Sequence, residues 1–336
     1  MEIVPVDPFD PAHRELFEAW VGVGEAASRA EYGIHTAAWS ADEIRAAYGK
    51  QDDERRRAWA ALLDDEVVGQ LELRLPVHDN THRAEIELAV RPDRRRLGVG
   101  TALLAVVEQA ARDEGRTVFG PDSDVAIEHD DPAAGFAARH GYTRAQSEIR
   151  SELTLPLPDG TLASAEAEAQ EHATGYETLT AWDGIPDEWL TDRALLARRM
   201  STDAPLGGVD LVEEEYDEAR VLRDFELARA QGRRIVETVA RERATGRLVA
   251  YTTIGIAKHT PDTAYQWSTL VLREHRGHRL GLLVKAANLR ALLDEMPGIR
   301  RVFTWNAGEN APMLRVNRAL GFAPIGTLTE WQKTLR

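Results

Sequence analysis

The feature that most constrains this chain is that it repeats itself. Around Arg95 it reads Val90-Arg91-Pro92-Asp93-Arg94-Arg95-Arg96-Leu97-Gly98-Val99-Gly100-Thr101. Around Arg276 it reads Val271-Leu272-Arg273-Glu274-His275-Arg276-Gly277-His278-Arg279-Leu280-Gly281, and the two arginines are 181 positions apart. The same offset lays Asp65-Glu66-Val67-Val68-Gly69-Gln70-Leu71 over Gly246-Arg247-Leu248-Val249-Ala250-Tyr251-Thr252, and both are turn-then-strand patterns. An offset of 180 lays Gly141-Tyr142 over Gly321-Phe322. Three anchors in one register, within one residue, read as two homologous domains. A length of 336 residues suits two domains, each able to bury a core. The expected boundaries are 1–155 and 175–336. The intervening 156–174 holds the turn Pro158-Asp159-Gly160 and an acidic, Ala-rich stretch, which reads as a solvated linker.

The coarse order of elements is the same in both repeats. In the first, strand Glu2–Val6 precedes helical patterns over 12–20 and 41–48, the latter opened by Ser40 with Glu43 three residues on, a capping box. A hairpin spans 59–63 and 67–75, and a strand covers 84–90. The glycine-bearing loop opens a helix to about Gly115; a strand at 117–119, a helix at 133–140 and a final hairpin follow. In the second, strands at 235–240, 248–256 and 265–271 precede a helix over 281–293, a strand at 301–305 and a helix at 311–320. The expectation is an α+β fold: two tandem domains, each a mostly antiparallel mixed sheet flanked by helices.

Charge is distributed unevenly. Residues 1–150 carry 18 basic and 29 acidic side chains, residues 151–192 carry 10 acidic and no basic ones, and residues 193–336 carry 23 basic and 17 acidic. A net charge of −15 argues against a nucleic-acid binder and against docking on an anionic membrane. The start has neither a basic n-region nor an apolar core of a signal peptide, and no apolar stretch approaches a membrane span, so the expected location is cytoplasmic. The absence of cysteine excludes disulfides, thiolate metal sites and a cysteine nucleophile. The histidines show no metal-ligand spacing, so no metal is expected; His275 and His278 flank the second loop, where phosphate contact or loop packing is expected.

The loop has its own physical logic. The first amides of a helix lack intrahelical partners and sit at the positive end of its dipole. Glycines let a phosphate approach, and the flanking arginines add charge. Read alone, the loop is a pyrophosphate cradle or simply a tight strand-to-helix turn. Neither loop has the Gly-Lys-Ser/Thr of a P-loop or the spacing of a Rossmann fingerprint.

The whole constellation resembles the GNAT superfamily of acyl-CoA N-acyltransferases: Arg-x-x-Gly-x-Gly after a strand, opening a helix, then a strand and a short helix ending in Gly-aromatic. The tandem arrangement is similar to that of two-domain actinobacterial members such as mycothiol synthase. The resemblance implies that the loop amides bind the pyrophosphate of acetyl-CoA. It assigns Val90, Arg95, Arg96, Gly98, Val99, Gly100 and Thr101 in the first repeat. In the second it assigns Val271, Leu272, Arg273, Arg276, Gly277, His278, Arg279, Leu280 and Gly281, with Arg279 replacing the first glycine. It also places Asn306 and Asn310 beside the CoA arm. Asn310, before Ala311-Pro312, reads equally as a helix N-cap. The first repeat has Asp122-Ser123-Asp124 there instead.

Acyl transfer to an amine needs a base. Glu85 and Glu87 lie two apart on the strand before the first loop, where many GNAT enzymes carry a base glutamate; plain amphipathic alternation gives the same pattern. The matching strand of the second repeat has no carboxylate, which leaves Glu237 or Glu330 as base there. The family's proton-donating Tyr position falls on Ala137 and Asn317, which leaves water, Tyr265 or Tyr251. These readings predict an acetyl-CoA-dependent N-acetyltransferase acting on a small cationic amine. The second domain is expected to be catalytic and the first partly degenerate, in a monomer or homodimer. The alternatives are catalysis in the first domain through Glu85 or Glu87, and a non-catalytic CoA-binding module.

Overall fold

A computed structural model describes residues 1–335. Its strands and helices, in chain order, are β1 (Glu2–Val6), α1 (Arg14–Tyr32), α2 (Ala41–Tyr48), β2 (Glu54–Leu63), β3 (Glu66–Pro76), β4 (Arg83–Val90), α3 (Val99–Asp113), β5 (Val118–Ala126), α4 (Ala134–Arg139) and β6 (Thr143–Thr154). There follow α5 (Thr161–His172), β7 (Tyr176–Trp182), α6 (Leu190–Asp203), α7 (Glu218–Ala230), β8 (Arg234–Glu242), β9 (Leu248–Ile256), β10 (Thr263–Val271), α8 (Leu280–Glu295), β11 (Arg301–Ala307), α9 (Ala311–Leu320) and β12 (Ala323–Thr334). The chain forms two compact units. Each is an α+β layer structure, as the repeat predicts.

Unit 1 comprises Met1–Ser147, Gly208–Asp210 and the C-terminal stretch from Thr327. Its sheet order is β1-β2-β3-β4-β5-β12. Leu71, Leu73 and Leu75 of β3 and Ile86 of β4 face α3, meeting Val99, Leu103 and Val107 in one core. The opposite face meets α1 and α2 through Phe17, Trp20 and Tyr48. Strand alternation thus sends Gln70, Glu72 and Arg74 of β3 to the α1 side, with Glu72 directly opposite Glu87 of β4. The capping box at Ser40 and Glu43 is present.

Unit 2 comprises Glu148–Gly207 and Leu211–Gly326. Its sheet order is β6-β11-β10-β9-β8-β7, and α8 packs on β8 and β9 through Leu282, Val284, Ala286 and Leu289.

Two expectations are corrected. The end of the first repeat is one long strand, not a hairpin, and from Glu148 it belongs to unit 2, paired with β11 over Glu148↔Ala307 to Thr154↔Arg301. Conversely the end of β12 belongs to unit 1, beside β5. Each repeat therefore gives its last strand to the other unit's sheet. Residues 156–174 are not a free linker: α5 buries Leu162, Ala165 and Ala169 in the core of unit 2. Its acidic face pairs Glu166 with Arg290 and Glu168 with Arg279, each at 2.9 Å. No described helix is long and apolar enough to cross a membrane.

Candidate active site

Both units open a gap in their sheets at the same place. In unit 1 the parallel pairing of β4 with β5 runs from Arg83↔Val118 to Ile86↔Pro121 and no further, although both strands continue. In unit 2 the pairing of β10 with β11 stops at Tyr265↔Phe303, and a bulge between Gln266 and Thr269 bends β10 away. The edge of Glu87–Val90 towards β5, and that of Gln266–Val271 towards β11, is thus unpaired and lines a gap leading to the loop.

The two loops have the same backbone built from permuted residues. In unit 1 Arg96 has φ +67° and Gly98 φ +85°; in unit 2 Gly277 has φ +92° and Arg279 φ +56°. Both left-handed positions are kept, with glycine and arginine exchanged. A side chain in this region costs about 1–2 kcal/mol, and each loop bears that cost once. Arg95 and Arg276 play one part: Nε donates to the carbonyl of the last strand residue, Val90 at 3.4 Å and Val271 at 3.1 Å. The first helical bond in unit 1 runs from Ala102 N–H to Gly98, so the preceding amides point outwards.

The loops differ in what holds their cations. Arg273 and Arg276 both bind Asp203 at the end of α6, at 2.9 and 3.4 Å, and Arg279 binds Glu168. His275 bonds the Tyr176 hydroxyl at 3.0 Å and His278 packs on that ring, so both histidines serve loop packing. Among the described residues of unit 1, Arg95 and Arg96 make no ion pair, and Thr101 sits 3.3 Å from His140. Gly100 has Phe136 and Val90 within van der Waals reach of an added Cβ, and Gly281 has Val271 and Val316. Val99 and Leu280 are buried at the helix starts, and Leu272 is buried beside Val271.

On the α1 side of unit 1, a polar floor lies beside the gap. Glu72 is buried, within 3.3 Å of Arg56. Glu87 and Asp122 flank the point where β4 and β5 part, and solvent reaches both. Enough protein surrounds Glu87 to raise its pKa by desolvation, reinforced by the Glu72 charge and opposed by Arg74 and Arg56. Asp122 is pushed up to about 7, by desolvation first and then by the charge of Glu87. The Tyr32 hydroxyl of α1 donates to Asp124. Glu85 is committed elsewhere, accepting from Arg83 Nε at 2.8 Å. Glu330 lies in unit 1, not unit 2, and accepts from the same guanidinium at 2.8 Å.

The matching face of unit 2 is filled. Glu237 of β8 is 1% exposed, accepting from Arg193 Nε at 2.8 Å and from the Thr253 hydroxyl at 2.9 Å. Arg193 lies 3.8 Å from the Tyr251 ring centroid. Trp267 packs its edge against Gly255, where a Cβ would come within 2.4 Å. Glu237 is therefore a core ion pair without access to an acceptor, and Tyr251 is buried beneath Arg193. Tyr265 is the last β10 residue paired to β11, at the mouth of the gap, with its ring against Phe303. Asn310 caps α9 through Met313 N–H at 3.2 Å. Asn306 accepts from Asn317, which accepts from Lys285.

Sequence reading missed Glu72 and Asp122. The available signal was the alternation Gln70-x-Glu72-x-Arg74, which places charge opposite Glu87 across the hairpin.

Comparison with known proteins matches this architecture. Residues 20–142 fit the acetyltransferase (GNAT) family. The whole chain is similar to a tandem GNAT protein from the clavulanic acid biosynthesis pathway, solved without AcCoA, at 28% identity and TM-score 0.79, covering 99% of this chain and 98% of that one. The fold is shared with a GCN5-related N-acetyltransferase from Sphaerobacter thermophilus, at 18% identity, TM-score 0.67, and 99% and 96% coverage. A search of curated proteins finds no match. The first repeat thus matches the GNAT acetyltransferase family, and the whole chain is similar to a tandem GNAT protein. The fold is of the tandem GNAT type, with one such layer structure in each unit.

Proposed function

We propose that the chain transfers an acetyl group from acetyl-CoA to the amine of a small cationic acceptor, and that unit 1 performs the transfer. One observation carries this reading: Glu87 and Asp122 face solvent where β4 and β5 part, over a floor that includes Glu72 and Asp124. Acetyl-CoA enters along the gap with its pyrophosphate on the loop amides, Arg95 and Arg96. An ammonium acceptor is drawn to the carboxylates. Glu87 takes the amine proton, the nitrogen bonds the thioester carbon, and the carbon–sulfur bond breaks. The nitrogen gives up its second proton and the sulfur gains one, both through water, while ionised Asp122, whose pKa is about 7, helps hold the cationic acceptor. With no cysteine in the chain, the transfer is direct.

This moves catalysis from the second repeat, expected to be catalytic for its asparagines and its positive charge balance, to the first. The filled acceptor face of unit 2 supports the change, while Asn306 supports a CoA half-site there. The test is CoA release over a panel of amines. Gly100→Glu puts a carboxylate into the unit 1 cradle and is expected to abolish turnover. Turnover kept in Gly100→Glu and lost in Gly281→Glu overturns the assignment.

A further inference from the structure

Among the described residues, none is a counterion for the buried Lys285. It lies on α8, 2% exposed, and its Nζ donates to Asn317 Oδ1 at 2.6 Å. It also lies over the Phe322 ring, 5.2 Å from its centre. Four carboxylates on α5, β7 and β8 around α8 are engaged with other cations: Glu166 with Arg290, Glu168 with Arg279, Glu177 with Arg241, Glu237 with Arg193. Burial alone brings the lysine down to about 7. An ammonium left this way costs several kcal/mol unless something compensates it.

In its ammonium form the hydrogen bonds it makes have only one possible polarity. An ammonium can only donate, so Asn317 must present its oxygen to Lys285 and its Nδ2 onwards. That Nδ2 donates to Asn306 Oδ1 at 2.6 Å. Asn306 must then turn its own Nδ2 away from the chain. Asn306 stands on β11 three residues beyond Phe303, the last residue paired with β10, and is half-buried. A buried charge is thus relayed through two amides to a donor on the gap-lining segment. The amide at 317 occupies the position where the GNAT pattern carries a proton-donating tyrosine.

We propose that Lys285, acting through Asn317 and Asn306, is a positioning residue that makes the unit 2 gap favour the sulfur of CoA as a thiolate. The proposal rests on the reading that unit 2 holds CoA. A thiolate accepts a charge-assisted hydrogen bond and supplies the negative charge that Lys285 lacks. On binding, the thiol proton leaves sulfur for solvent, and any neutral Lys285 takes one up. No carbon–sulfur bond is made or broken. Asparagine cannot pass the proton, so the chain acts by polarity and not as a proton wire.

The test uses the full-length Gly100→Glu chain, in which the unit 1 cradle is blocked. CoA and desulfo-CoA are titrated calorimetrically, and thiolate ultraviolet absorbance is followed at neutral pH. CoA is expected to bind about tenfold or more tighter than desulfo-CoA, with thiolate absorbance appearing on binding. Lys285→Met should erase both the preference and the absorbance while leaving desulfo-CoA affinity in place. Asn306→Ala, which leaves Lys285 and its bond to Asn317 in place, should also erase the preference and the absorbance, with any loss of affinity shared by both ligands. Equal affinity for the two ligands in the parent, or a sulfur preference that survives Lys285→Met and Asn306→Ala, overturns the proposal alone. No binding of either ligand by the parent overturns both the proposal and the reading that unit 2 holds CoA.

Discussion

Arg193→Met should destabilise unit 2 far more than an ordinary surface change. Methionine fills much of the same volume but leaves Glu237, 1% exposed, with only the Thr253 hydroxyl. Stranding a buried charge costs about 3–5 kcal/mol. Loss of the guanidinium over Tyr251 adds about 1 kcal/mol, though the two effects are not additive. For a unit whose urea dependence is about 1–3 kcal/mol per M, the midpoint should fall by roughly 1–5 M. Each unit contains four tryptophans, so fluorescence alone cannot assign the transition. Urea melts read by hydrogen-exchange peptides from β8 and β9 can. Glu237→Gln in the Arg193→Met background should recover most of the loss, because the stranded charge is gone. The reasoning fails if Arg193→Met costs under 1 kcal/mol. It fails equally if Glu237→Gln abolishes turnover with stability intact, since Glu237 would then be the base of a working site.

Turnover should rise with pH through about 7 as Asp122 ionises, and Glu87→Gln should move that limb to lower pH, because the Glu87 charge helps hold Asp122 up; a limb that stays put contradicts the coupling. The sign for stability is opposite. A carboxyl whose folded pKa is raised favours the fold while protonated, and that benefit is lost as pH rises from the unfolded value towards about 7. Asp122→Asn should therefore flatten the decline in melting temperature across that range. Ala169→Asp, at a position with no exposure in α5, should unfold unit 2 by burying a charge; a linker would tolerate it. Gly277→Ala should cost about 1 kcal/mol through its φ of +92°, whereas Arg279→Gly should be neutral to stabilising, because relief of the left-handed strain offsets a lost surface ion pair. Thermal melts measure both.

Much of the fold was legible because it is repeated. The two loops, the strand 248–256 and the helices 41–48 and 311–320 appear where the pattern puts them. The elements that escaped reading carry charge inward. Asp192 and Arg193 of α6 are buried and read as surface residues until Glu237 and Arg247 are seen opposite them. The apolar stripe of α5 is made largely of alanines, too weak to stand out from its glutamates. The exchange of last strands was illegible, because either repeat's final strand satisfies the same alternation and only long-range pairing chooses between them. The acidic floor was half legible. Glu87 stood out, but its partners Glu72 and Asp122 lie on other strands and became neighbours only through register.

The most direct test of unit 1 as the site of transfer is single-turnover CoA release from acetyl-CoA with a diamine acceptor, measured for wild type and Glu87→Gln. Loss of a general base predicts a rate lower by about 10²–10⁴, with acetyl-CoA affinity unchanged. A Glu87→Gln chain that releases CoA at the wild-type rate contradicts the account.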